Sequence, residues 1–169
     1  MGQTMGFDFG LGANDACFKR KFRWLLKIKD VSATGIQTLP PMKGARPNVS
    51  FKEIEAKHLV ETVYYPGRPE WKPITLVLFD LKRNKNPLIE WFKKIYDSQE
   101  GTWKPSGENQ FKKEATLELY DGCGTTIEKW TFENVWPQTI EFGDLDMGSS
   151  EVVTIEVTLR YDRAYEESV

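Results

Sequence analysis

Val152-Val153-Thr154-Ile155-Glu156-Val157-Thr158-Leu159-Arg160-Tyr161-Asp162 alternates apolar and polar side chains without a break. Val153, Ile155, Val157, Leu159 and Tyr161 fall on one side; Thr154, Glu156, Thr158 and Arg160 fall on the other. Successive side chains of an extended strand point to opposite faces, so the segment predicts a half-buried β-strand. β-Branched residues fill it, and Gly148-Ser149-Ser150 punctuates its start. What its polar face meets, water or the wall of a channel, is the functional question.

Working outward, Ala115 to Tyr120, the turn Asp121-Gly122-Cys123-Gly124, and Thr126 to Ile140 carry a β-hairpin signal, because Asp-Gly favours the turn that matches strand twist. Trp130, Phe132 and Trp136 are expected on one face of the second arm, with Pro137 at an edge or bulge. Residues 143–150 turn the chain into the final strand. One helix is expected: Asn86 caps it, Pro87 suits its first turn, and Leu88, Trp91, Phe92 and Ile95 form its apolar stripe. It should end near Asp97, and residues 98–109 read as a polar loop.

Upstream, residues 74–81 are almost continuously apolar, as in a strand covered on both faces. Residues 18–28 alternate aromatic and aliphatic side chains with Lys19, Lys21, Arg23 and Lys27, which predicts another strand. Residues 50–58 and 59–65 read as two further strands, closed by a turn at Pro66-Gly67-Arg68-Pro69. Residues 30–48 form a long loop carrying Pro40, Pro41 and Pro47. Residues 1–16 are glycine-rich and read as a flexible arm that orders only on contact, with Phe7, Phe9 and Leu11 as apolar anchors. Residues 17–169 then make a single domain. Its class is mainly β: a barrel or sandwich of antiparallel strands, six or seven in number, with one flanking α-helix.

Composition limits the chemistry. The chain has 169 residues and a net charge of −2 from 23 basic and 25 acidic side chains, so no global field draws it onto nucleic acid or an anionic membrane. No apolar run has the length of a membrane span or signal peptide. Cys17 and Cys123 lack metal-ligand neighbours and read as free thiols. His58 is the only histidine, which excludes zinc sites and histidine relays that need more ligands. There is no phosphate-binding glycine loop, and Asp144-Leu145-Asp146-Met147-Gly148 is a turn rather than a calcium loop. Glu53 and Glu55 could pair as hydrolase carboxylates, although such spacing is common on surfaces. No cofactor and no enzymatic activity are expected.

The motif Tyr64-Tyr65-Pro66-Gly67-Arg68-Pro69-Glu70-Trp71-Lys72-Pro73-Ile74-Thr75 resembles the central motif of the tail tube proteins of contractile-tailed phages. Phe132-Glu133-Asn134-Val135-Trp136-Pro137 and residues 153–162 are similar to that family's closing hairpin. The Phe22-Arg23-Trp24 start and the Arg46-Pro47…His58-Leu59 segment are similar too, in the family's order. The resemblance implies a fold shared with tube subunits of type VI secretion and other contractile injection machines. It implies hexameric rings stacked into a tube inside a contractile sheath, initiated at a baseplate. The tube would hold a tape-measure protein, pass DNA without gripping it, and insert into no membrane. Its place would be the virion tail, assembled in the cytoplasm of a bacterial host.

Within that frame Thr154, Glu156 and Thr158 are expected to line the lumen, the alternative being an outer face turned to water. Arg46, Pro47, Tyr65, Arg68 and Trp71 are expected at subunit contacts, the alternative being packing within the subunit. Two other functions remain open at this point: the tube of a phage-derived toxin injector, and a monomeric β-barrel with an interior ligand pocket of a few hundred Å³.

Overall fold

A computed structural model describes residues 19, 21–29, 31, 41–80, 87–103, 111–121 and 123–168. The expectations for the arm at 1–16, for Cys17, for the cap at Asn86 and for most of the loop at 30–48 lie outside these residues.

The final strand organises the fold as its alternation requires. It forms β10 (Thr154–Arg160), with Ile155, Val157 and Leu159 buried, followed by the buried Tyr161. On one side it pairs antiparallel with β5 (Ile74–Phe79), and on the other with the second half of β9 (Thr126–Phe142). β9 is long enough to serve two sets of neighbours. Its first half pairs with β8 (Lys113–Tyr120) and, across the other edge, with β11 (Arg163–Glu167). β1 (Trp24–Ile28) extends the sheet beyond β8, and β2 (Pro41–Lys43) extends it beyond β5, making seven strands in all.

This sheet folds over on itself. Leu26 and Ile28 of β1 line a residual void of only about 10 Å³ together with Leu76, Leu78, Val157 and Leu159 of β5 and β10. The two ends of the sheet also meet, since a Cβ placed at Gly44, just after β2, would lie 2.5 Å from the Trp24 ring. Glycine is therefore required where β2 rests on β1. The mainly antiparallel β architecture with one helix is as the sequence predicts, although further short strands raise the count above six or seven.

The helix α1 (Pro87–Lys93) buries Leu88 and Trp91 against the core, and Trp91 Nε1 donates to the Phe111 carbonyl at 2.6 Å. It ends a turn earlier than its apolar stripe suggests. The N–H groups of Lys94 and Ile95 reach back three residues to Trp91 and Phe92, tightening the last turn. The Asp97 carboxylate then captures the N–H groups of Gln99 and Glu100. Tyr96–Asp97 (β6), where the helix is expected to end, pairs across this bend with Thr102–Trp103 (β7), inside the stretch read as a polar loop.

Three further expectations are corrected. The first strand begins at Trp24 rather than 18, because its partner β8 stops at Tyr120; Lys21 and Phe22 form a turn, and Phe22 is exposed. β5 is fully buried on one face only: Ile74, Leu76 and Leu78 are covered, while Thr75 is exposed. On β9, Asn134 adopts φ 56° at a bulge, so Lys113 faces Val135 while Ala115 faces Phe132. The extra residue moves Trp136 off the face of Trp130 and Phe132 and brings Val135 into the core. Pro137 does sit beside a second register shift, opposite Leu159.

β10 and β11 run as one broken strand along β9, creased at Tyr161 and Asp162. Asp162 N–H donates to the Glu133 carbonyl, and its carboxylate accepts from Asn134 Nδ2 at 2.8 Å and pairs with Lys112 at 3.2 Å. Tyr161 packs edge-on against Phe132 at 5.1 Å between ring centroids and against Trp71 at 5.9 Å. Burial pushes its phenol pKa up, and the nearby Asn48 backbone and the Arg160 charge partly oppose the rise; among the described residues no group meets its hydroxyl in full hydrogen-bond geometry.

Candidate functional site

The remaining strands form a separate hairpin. Among the described residues β3 (Asn48–Lys57) and β4 (Thr62–Lys72) pair only with each other, and they reverse at residues 58–61, where His58 N–H donates to the Glu61 carbonyl. The expected turn at residues 66–69 is therefore displaced to the hairpin tip, and both prolines lie inside β4. They are tolerated because a two-stranded ribbon has an open edge on each strand, where a missing N–H costs no ladder bond.

The hairpin carries a register shift between Phe51 and Glu53, with Gly67 opposite. A Cβ at Gly67 would lie 2.5 Å from the Lys52 carbonyl oxygen. Below the shift, Val49 and Phe51 share a face with Trp71 and Pro69. Beyond it, Ile54 and Ala56 share the opposite face with Tyr65 and Val63. The ribbon is largely exposed, and so are Phe51, Ile54, Leu59, Val60, Tyr64 and Tyr65 along it. An apolar surface of this extent on a projecting ribbon is the signature of an interaction site.

Two anchors hold its root. Trp71 lies partly buried on the Tyr161 ring. Arg46, just before β3, reaches Glu128 on β9 at 3.5 Å. Glu128 is 3% exposed; it is also paired with Lys19 and accepts from Trp130 Nε1 at 2.6 Å. Burial alone would raise its pKa, but the hydrogen bonds from Lys19 and Trp130 and the charges of Lys19 and Arg46 bring it below the ordinary glutamate value of 4.5. A lowered folded pKa means this contribution to stability is complete above pH 4.5 and lost as pH falls through the folded value. Glu128→Gln is expected to cost about 1–3 kcal/mol at neutral pH and to flatten the acid limb of stability, measured by urea unfolding at several pH values.

The five residues expected at subunit contacts thus divide. Tyr65 and Arg68 are exposed on the arm, whereas Arg46, Pro47 and Trp71 lie at its root. Thr154, Glu156 and Thr158 share one face of the main sheet, beside Thr75, Val77, Thr139 and Glu141 on the flanking strands. Thr158 and Thr75 approach within 3.4 Å through their hydroxyls. Glu156 stands directly opposite Glu141, a like-charge pair that costs stability across an antiparallel ladder. Sequence reading did not find Glu128; its signal was a lone carboxylate in phase with Trp130 and Phe132.

Glu53 and Glu55 are exposed on the arm, with Lys57 3.9 Å from Glu55. Among the described residues no group of three or more His, Cys, Asp or Glu could hold a metal, and no helix is long and apolar enough to cross a membrane. Cys123 is free and exposed. Asp146 closes a local turn by accepting from Gly148 N–H at 2.8 Å. Among the described residues, the apolar space between β1, β5 and β10 holds a void of only about 10 Å³, far below the few hundred Å³ of a ligand pocket.

Among curated proteins none matches the chain. The fold is similar to that of a chain in the sheath–tube complex of an extracellular contractile injection system, PVC, in its extended state. The two are 22% identical, with a TM-score of 0.70 over 89% of this chain and 92% of that one. It is likewise similar to a chain from the tube-terminating cap of the anti-feeding prophage: 20% identity and TM-score 0.71, covering 95% and 99% of the two chains. A type six secretion system protein shares the fold more distantly, at 9% identity and TM-score 0.55 over 86% of this chain and 82% of that one. The family model described as T4-like virus tail tube protein gp19 matches residues 20–164. The chain therefore belongs to the tail tube protein family of T4-like viruses, and is a structural subunit of a tail tube.

Proposed function

We propose that this subunit forms six-membered rings that stack into a hollow tube within a contractile sheath, and that the tube conducts DNA. The role is structural rather than catalytic. The observation that carries it is the β3–β4 arm, an exposed apolar ribbon with two open edges, firmly rooted but covered by none of the other described residues. Open edges invite pairing with another copy, and repeated head-to-tail contacts close into rings or continue as filaments. Tyr65 and Arg68 contact the neighbouring subunit directly; Arg46, Pro47 and Trp71 hold the ribbon at the bearing from which that contact is made. Assembly takes place in the bacterial host cytoplasm on a baseplate initiator, around a tape-measure protein.

Thr154, Glu156 and Thr158 belong to the lumen wall. The Glu141–Glu156 pair supports this, because an unfavourable juxtaposition of carboxylates is useful where phosphate must pass without being held. The DNA cargo distinguishes this reading from the tube of a protein-injecting machine.

Electron microscopy of the purified full chain at high concentration, with baseplate supplied, tests the assembly. Hollow tubes built from six-membered rings are expected; closed monomers with the arm folded back would overturn it. Glu156→Lys should leave the tubes intact but slow DNA passage roughly tenfold by adding phosphate contacts. Unchanged ejection kinetics would remove these residues from the wall.

A further inference from the structure

A cleft of about 560 Å³ opens where the inner face of the β1–β8 layer meets the end of β2. Trp24, Met42, Gly44, Leu117 and Leu119 give it an apolar floor, and Lys19, Lys21, Lys43 and Arg46 give it a cationic rim. Lys19 and Arg46 are already engaged by Glu128, whereas Lys21 and Lys43 have no ion-pair partner among the described residues. Met42 is left 61% exposed although it belongs to this apolar floor. The site thus suits a short, extended segment with alternating aromatic and acidic side chains.

The sequence contains such a segment. Residues 7–11, Phe7-Asp8-Phe9-Gly10-Leu11, put Phe7, Phe9 and Leu11 on one side of an extended chain and Asp8 on the other. Residues 1–18 contain Asp8 and Asp15 and no lysine or arginine, the complement of the rim. The chain enters the described fold at Lys19, which is itself a residue of the cleft wall. The intervening residues 12–18 span up to about 25 Å when extended, enough to double back along the cleft. Tethering at that distance supplies an effective concentration on the order of millimolar.

We propose that residues 7–11 dock in this cleft on their own chain, seating Phe7 and Phe9 on the Trp24–Met42–Leu119 floor and Asp8 against Lys21 and Lys43. This docking does not depend on the tube role.

Chymotrypsin, which cuts after Phe7 and Phe9, reads the docking in the full chain. Cleavage should be slow, and Lys21→Glu with Lys43→Glu should accelerate it roughly tenfold, the fold being checked by near-ultraviolet circular dichroism. Adding Asp8→Lys should restore protection. Phe7→Ser, which lies outside the described domain, should speed cleavage after Phe9 to a similar degree. The wild-type rate constant should stay the same over a hundredfold dilution. Cleavage as fast as in a free peptide of residues 1–18 would overturn the proposal. Protection lost on dilution would also overturn it, by assigning the cleft to a neighbouring copy.

Discussion

Gly67→Val is expected to yield a folded subunit that no longer builds tubes. A Cβ at position 67 would lie 2.5 Å from the Lys52 carbonyl oxygen and 3.3 Å from its carbon. Both atoms are backbone, so no side-chain rotation relieves the clash, and β3 must move away from β4. The strain, about 1–3 kcal/mol by analogy with overpacked cores, falls where the ribbon changes register. The distal half, with Ile54, Val63 and Tyr65 on one face, is then re-aimed. Because the hairpin pairs with no other strand among the described residues, the core feels little of this, and the melting temperature should barely change. Every subunit carries the same fault, so the loss of assembly should be far larger than the loss of stability. Calorimetry together with particle counts by electron microscopy separates the two, and normal tubes from the valine variant would remove the arm from the contact. Gly67→Ala should show the same effect more weakly.

Phe132→Ala should act on the opposite quantity, removing about 3–5 kcal/mol of folding stability. Phe132 is 0% exposed and is flanked across the ladder by Ala115 on β8 and Ala164 on β11. Both cross-strand neighbours are alanines, whose side chains are too short to fill the cavity. The Tyr161 ring also loses its edge-on partner, which loosens the seat of Trp71. Against a total of about 5–15 kcal/mol for an ordinary domain, most of the margin disappears. Urea unfolding measures it, and a loss below about 1 kcal/mol would mean that the surrounding strands close the gap.

What the sequence made legible were the elements whose pattern is local. The alternation at Ile155, Val157 and Leu159, the Asp121 turn and the stripe of Leu88 and Trp91 each followed from spacing alone. What escaped depended on partners distant in the chain. β1 starts where β8 ends, which nothing between residues 18 and 23 announces. Pro66 and Pro69 read as a turn because a proline normally ends a strand, and only an open-edged ribbon accommodates them. The inserted residue at Asn134 reversed the phase of Trp136, and such an insertion leaves no periodic trace. At the candidate site, Tyr65 and Arg68 are expected at subunit contacts, and the structure leaves both exposed on the projecting ribbon. The pairing of Glu128 with both Lys19 and Arg46 joins residues more than eighty positions apart and was not readable.

The crease at Tyr161 has a consequence for variation within such proteins. One aromatic ring sits both at the fold line of the main sheet and beneath the root of the projecting ribbon. A drift in its size would tilt β10 against β11 and swing the ribbon in the same step. Two angles that an assembling lattice would gain by tuning separately are therefore inherited as one.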